Sequence, residues 1–129
     1  MEMARRIIIA EDEPNIVISL EFLLKQAGHD VSIARDGETA LRLAREARPD
    51  LIVLDLMLPL VNGFEVCHRI REDPALRDTK VLMLTARGRQ SEITRGLEAG
   101  ANAYMTKPFA TRDLLSAVAE LLSERRAHE

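Results

Sequence analysis

Four apolar runs in this 129-residue chain each stop at a side chain capable of phosphate chemistry. Ile7 to Ala10 is followed by Glu11-Asp12-Glu13, and Leu51 to Leu54 by Asp55. Val81 to Leu84 is followed by Thr85, and Ala103 to Met105 by Thr106-Lys107-Pro108. An aspartate carboxylate can act as a nucleophile toward phosphorus. Carboxylates crowded together require either a shared proton or a cation among them. The candidate ligands are all oxygen donors, which favours Mg²⁺, with Glu11 and Asp12 as candidate binders. Phosphoryl transfer needs in-line positioning and neutralisation of the phosphoryl oxygens. The Thr85 hydroxyl and the Lys107 ammonium are suited to that task. All of this depends on the four strand ends meeting.

The pattern of elements brings them together. Short apolar runs alternate with longer amphipathic segments five times, which predicts a single α/β domain, a (βα)5 doubly wound parallel sheet with helices on both faces. The runs at 7–10, 51–54 and 81–84 are continuously apolar, as strands covered on both faces must be. Val31-Ser32-Ile33-Ala34 alternates, as an edge strand does. Pro14 suits the first turn of a helix with a stripe of Ile16, Leu20, Leu23 and Ala27, ended by Gly28. Asp36 is placed to cap a helix carrying Ala40, Leu43, Ala44 and Ala47. Asn62-Gly63 is a turn signal before a short helix with Val66, Cys67 and Ile70. A weaker helix spans about 90–99, where Gly96, and Gly88 just ahead of it, lower the helical tendency. Thr111 is read as the cap of the last helix. Right-handed crossovers and a ligand site at a topological switch point give the strand order 2-1-3-4-5. Asp12 and Asp55 then lie side by side, with Thr85 and Lys107 on the next strands.

Composition narrows the function classes. Hydrophobic residues are 47% and charged residues 30% of the chain, in keeping with a soluble globular domain. A net charge of -3 leaves no basic footprint for nucleic acid or an anionic membrane. Cys67, the only cysteine, rules out an internal disulfide and points to a reducing, cytoplasmic setting. No stretch approaches the roughly 20 apolar residues of a membrane span.

Taken in order, the segments Glu11-Asp12-Glu13-Pro14, Asp55-Leu56-Met57-Leu58-Pro59 with Asn62-Gly63, Thr85-Ala86-Arg87, Gly96-Leu97-Glu98-Ala99-Gly100-Ala101 and Tyr104-Met105-Thr106-Lys107-Pro108-Phe109 resemble the receiver domain of bacterial two-component response regulators. The resemblance covers nearly the whole chain. It implies a flavodoxin-like fold, with residues 1–124 as the receiver domain and 125–129 as a polar tail. It implies a switch rather than an enzyme with a separate substrate, in which Asp55 takes a phosphoryl group from a histidine kinase or phosphotransfer protein. Mg²⁺, with Mn²⁺ as a substitute, would be held by Asp12, Asp55 and the backbone carbonyl of Met57, with Glu11 acting mostly through water. Thr85 and Lys107 would bind the phosphoryl oxygens, and the Lys107-Pro108 bond would be cis. Thr85 and Tyr104 would be the switch pair. They would remodel the face formed by the fourth helix, fifth strand and fifth helix, through which such domains also form homodimers and meet a downstream target or effector domain. Met57 and Arg87 would set the phosphoryl lifetime.

The chain departs from the commonest pattern at Glu11, where aspartate is more frequent, and at Asn62, where an aspartate often stands. Two other functions share parts of the chemistry. A haloacid-dehalogenase-type phosphatase also uses Asp, Thr, Lys and Mg²⁺, but its nucleophile lies in an Asp-x-Asp motif after the first strand. A flavodoxin-like flavin carrier would need a Ser/Thr/Gly-rich phosphate loop after strand 1, which is missing here.

Overall fold

The continuously apolar runs form the middle of one parallel sheet. This computed structural model describes residues 5–86 and 90–127. The elements are β1 (Arg6–Ala10), α1 (Pro14–Gln26), β2 (Asp30–Ala34), α2 (Gly37–Ala47), β3 (Leu51–Asp55), α3 (Gly63–Glu72), a 3-10 turn (Pro74–Leu76), β4 (Lys80–Ala86), α4 (Gln90–Glu98), β5 (Ala103–Lys107) and α5 (Thr111–Ala127). The strands are parallel and stand in the order 2-1-3-4-5.

Alternating side chains of each strand point to opposite faces, so a sheet covered on both sides needs both sets apolar. Ile8, Ala10, Ile52, Leu54, Val81 and Met83 pack with Ala40, Leu41 and Ala44 of α2 and Val66, Cys67 and Ile70 of α3. Ile7, Ile9, Leu51, Val53, Leu82 and Leu84 pack with Leu20 and Leu24 of α1 and Leu114, Val118, Leu121 and Leu122 of α5. β2 lies at the sheet's edge and alternates in burial, as its sequence predicts.

The helix signals hold with corrections in α1, α2 and α5; in α2 Leu41 is buried with Ala40 and Ala44, while Leu43 and Ala47 are only half-buried. Pro14 opens α1, and the Asp36 carboxylate caps α2 by accepting from Thr39 N–H at 2.7 Å. Asn62 caps α3 through Glu65 N–H at 3.0 Å. The buried stripe of α1 is Val17, Leu20 and Leu24, however, with Ile16 and Leu23 half-buried beside it and Ala27 exposed. Apolar residues crowd both sides of that stripe, so helical periodicity left its phase open by one position. Thr111 is the first helical residue rather than the cap, since Leu114 N–H donates to Ala110 O at 3.1 Å. The last helix runs to Ala127. Ser-Glu-Arg-Arg-Ala contains no breaker, and Glu, Arg and Ala are good helix formers.

At the amino edge of the sheet, Arg71 at the end of α3 ties three segments together. Its Nε donates to Gly100 O and its Nη1 to Thr79 O, both at 2.8 Å. Its Nη2 donates to Asn102 Oδ1 at 2.7 Å, and that oxygen also accepts from Val81 N–H at 2.8 Å. Gly100 has φ +113, and a Cβ there would meet the Arg71 side chain.

Candidate functional site

Strand register decides which side chains share the carboxyl edge. Ala10 pairs with Leu54, so Glu11 and Asp55 leave β1 and β3 level with each other. Asp55 pairs with Leu84, Thr85 stands one residue further along, and Lys107, paired with Ala86, one further again. Oxygens of Glu11, Asp12 and Asp55 lie within 4.8 Å of one another. Asp55 is only 3% exposed and Glu11 fully buried, while Asp12 is exposed.

Lys107 reaches back over this step. Its Nζ lies 3.3 Å from Asp55 Oδ1 and 3.3 Å from Glu11 Oε1. The second Glu11 oxygen accepts from Glu13 N–H at 3.0 Å. Burial raises the Glu11 pKa above its ordinary value and the Asp55 charge adds to the rise, against the Glu13 N–H and the ammonium. For Lys107 burial works to lower the pKa, but Asp55 and Glu11 outweigh it and the net shift is upward. The ammonium therefore stays charged, and its contribution to stability is lost only as pH rises from 10.5 through the folded-state value.

The other predicted residues take definite places. Thr85 is buried, and its hydroxyl donates to Ala86 O at 3.2 Å. Tyr104 is 44% exposed. The Met57 side chain is 72% exposed, two residues beyond Asp55. The Lys107-Pro108 bond is cis. Arg87 and Gly88 lie outside the described residues.

Between Asp55 and α3 the loop makes a turn that the sequence did not signal. Leu60 has φ +70, and Val61 N–H donates across it to Pro59 O at 2.8 Å, the rare γ-turn. A non-glycine residue held in so sparsely populated a conformation costs about 1–3 kcal/mol. Pro59 O also accepts from Gly37 N–H at 3.0 Å, and a Cβ on Gly37 would collide with the Val61 carbonyl. Gly63 closes the loop by donating to Leu56 O at 2.9 Å, with no room for a Cβ against the Asp55 carbonyl. Pro59 was the available clue to a turn, but leucine rarely marks a positive φ.

These residues fit Mg²⁺. Three carboxylates lie around one ammonium, which leaves net negative charge at the site, and every candidate donor is oxygen. A hard divalent cation bound by a few carboxylates and waters relieves it.

The comparisons with known proteins bear on the family and the fold. The family model described as "Response regulator receiver domain" matches residues 7–119. The alkaline phosphatase synthesis transcriptional regulatory protein PhoP of Bacillus subtilis is 43% identical over 120 residues, covering 93% of this chain and 49% of the relative. The DNA-binding dual master transcriptional regulator RpaA of Synechocystis is 46% identical over 117 residues, covering 91% of this chain and 48% of the relative. The chain thus spans about half the length of these curated relatives. The receiver domain of sensor histidine kinase PA1611 from Pseudomonas aeruginosa, solved with a magnesium ion coordinated in its active-site cleft, superimposes with a TM-score of 0.86. It is 30% identical, and the match covers 94% of this chain and 99% of that one. The phosphatase reading finds no support: Asp55 follows β3, not β1.

Proposed function

The chain belongs to the response regulator receiver domain family, and on that premise we propose that Asp55 is its phosphoacceptor and that phosphorylation there drives its switch. The observation that carries this reading is the buried Asp55 carboxylate, with Lys107 at 3.3 Å and two further carboxylates within 4.8 Å. An Asp55 oxygen attacks the phosphorus of a phosphohistidine. The P–O bond forms as the P–N bond breaks, and the imidazole leaves with the electron pair. Lys107, kept charged by its two carboxylates, neutralises one phosphoryl oxygen. Thr85 turns its hydroxyl from Ala86 O to another.

Asp12, Asp55 and the Met57 carbonyl would hold Mg²⁺, or Mn²⁺ in its place, supplying charge neutralisation at the remaining phosphoryl oxygens. Glu11 is engaged by Lys107 and Glu13 N–H, in keeping with a role through water. Hydrolysis by water ends the signal, and Met57 and Arg87 set its rate.

The phosphoryl group favours one of two pre-existing conformations. Thr85 moves toward it, and Tyr104 turns inward into the space released. α4, which buries only Ile93 and Gly96, is the element readiest to shift. The α4–β5–α5 face, where Leu97 is 43% and Tyr104 44% exposed, then engages a second copy or a downstream target or effector domain. The donor is a histidine kinase or phosphotransfer protein. Catalysis is confined to the domain's own phosphorylation and dephosphorylation, in the cytoplasm. Among the described residues no helix is long and apolar enough to cross a membrane, and this segment binds no nucleic acid itself.

Incubation with a small phosphodonor and Mg²⁺ tests the assignment. The parent should take up one phosphoryl group per chain and Asp55→Asn none. Equal labelling of the variant would overturn the site.

A further inference from the structure

The two ends of α4 are held in different ways. At the carboxyl end Gly100 N–H donates to Leu97 O and Ala101 N–H to Gly96 O, both at 3.1 Å. Gly100 takes the positive φ that this kind of helix cap requires. Around the cap, Arg71 Nε of α3 donates to Gly100 O at 2.8 Å and the Cys67 thiol to Ala99 O at 3.6 Å. Asn102 N–H donates to Val81 O of β4 at 2.9 Å. The first half of the helix is fastened by side chains instead. From Gln90 to Arg95 only Ile93 is buried. Arg95 lays its guanidinium over the Phe64 ring of α3, 4.1 Å from the centroid. Gly96, the next residue, sits against the same ring and Met83. A Cβ there would stand 3.8 Å from Phe64 and 3.3 Å from the Met83 methyl.

Phe64 is itself fixed from the side of the reacting carboxylate. It follows Gly63, whose N–H donates to Leu56 O at 2.9 Å and whose Cα leaves no room for a Cβ against the Asp55 carbonyl. The preceding residue, Asn62, caps α3 through Glu65 N–H. The ring is therefore carried on backbone packed directly against Asp55, and Arg95 is a grip of α4 on that ring. The grip is weak: a guanidinium over a ring at an exposed site biases an equilibrium by only about two- to fivefold. The carboxyl end is strong by comparison. Hydrogen bonds from a charged donor such as Arg71 are roughly twice as strong as neutral ones, and the cap adds its own. Local opening starts where few buried apolar contacts hold the chain. In α4 that is the end nearer Gln90, and the Arg71-bound end stays in place.

Resting on the reading of Asp55 as phosphoacceptor, we propose that Arg95 and Phe64 are positioning residues whose contact clasps the amino half of α4 in the resting arrangement. When the clasp parts, α4 opens from that half toward its Arg71-bound end. The phosphoryl group favours the opened arrangement, so the clasp sets how much of its binding is spent on opening. Arg95→Ala and Phe64→Leu remove the contact, while Arg95→Lys and Phe64→Tyr keep a cation over a ring. The first measurement is amide exchange in the metal-free, unphosphorylated chain. In the two removing variants amides 94–96 should exchange about two- to fivefold faster, with amides 100–102 unchanged. The two conservative variants should exchange as the parent does. The second measurement is a titration with beryllofluoride, a phosphoryl analogue, in the presence of Mg²⁺. The removing variants should bind it tighter by the same factor, and the conservative ones should match the parent. Equal acceleration through amide 102 would show that α4 opens as a whole, and no acceleration would show that the clasp holds nothing. Faster exchange with unchanged analogue affinity would detach the clasp from the switch. Each of these three outcomes overturns the proposal. Analogue binding to Asp55→Asn as tight as to the parent would instead overturn the reading of Asp55, and the exchange pattern would still judge the clasp.

Discussion

At the amino edge of the sheet Arg71 donates to carbonyl oxygens of Thr79 and Gly100 at 2.8 Å and to Asn102 at 2.7 Å. At the carboxyl edge Lys107 spans two carboxylates at 3.3 Å each. One cation meets neutral acceptors that have no quarrel with each other, and each contact fixes a piece of chain. The other sits among three carboxylates and compensates them only in part. The contrast shows where this fold keeps its stability and where it keeps unsatisfied charge. The first edge closes the α3, β4 and β5 ends into one unit. The second retains repulsion that a cation or phosphoryl ligand can use.

Removing the guanidinium should have the largest effect. Arg71→Met removes the guanidinium bonds to Thr79 O, Gly100 O and Asn102 Oδ1, the last of which keeps Val81 N–H, and urea unfolding should report a loss of about 3 kcal/mol, with labelling of Asp55 retained at temperatures where the variant is folded. A loss below about 1 kcal/mol would show that this edge is no more braced than the other. The opposite edge should respond to Mg²⁺. At tenfold its Kd, Mg²⁺ should raise the parent's unfolding free energy by about 1.4 kcal/mol. Asp12→Asn should be more stable than the parent without metal and gain little when it is added. A variant that gained as much as the parent would remove Asp12 from the metal set.

The smallest effect is a change of slope. The Glu11 carboxyl holds its proton to higher pH in the folded chain than its ordinary 4.5, chiefly because it is buried. Folding therefore takes up a proton between 4.5 and the folded-state value, and the metal-free parent loses stability as pH rises through that window. Glu11→Gln removes the linkage, so its stability relative to the parent should climb over the same window and then level off. Denaturation series at several pH values in chelator would show it, and parallel curves would contradict the burial account.

How much of this was readable beforehand follows from the kind of signal each feature leaves. Strand order, the meeting of Glu11, Asp12, Asp55 and Lys107 and the place of Thr85 at the same edge were legible because buried parallel strands must be apolar throughout, and their ends mark the edge. The Asp36 cap was legible because a cap is a local bond, whereas Asn62 read only as part of a turn before α3 and proves to be that helix's cap. The phase of α1 was not: Ile16, Val17, Ile18, Leu20, Phe22, Leu23 and Leu24 offer several overlapping stripes. The Arg71 brace joins residues 29 and 31 positions apart, for which sequence has no local mark. The Leu60 turn was hidden because its conformation contradicts its residue type. The contact between Glu11 and Lys107 is a matter of where two flexible side chains settle.

The stagger of the strand ends has a last consequence, for how such a site can diverge. Asp55, Thr85 and Lys107 leave the sheet on successive rungs about 3.3 Å apart. The backbone sets the steps, and the side chains span them by their lengths. Adding or removing one methylene, as glutamate in place of aspartate does at position 11, moves a charge by more than an ångström while every ladder bond stays in place. Metal affinity and signal duration are thus open to retuning by single substitutions that leave the scaffold untouched.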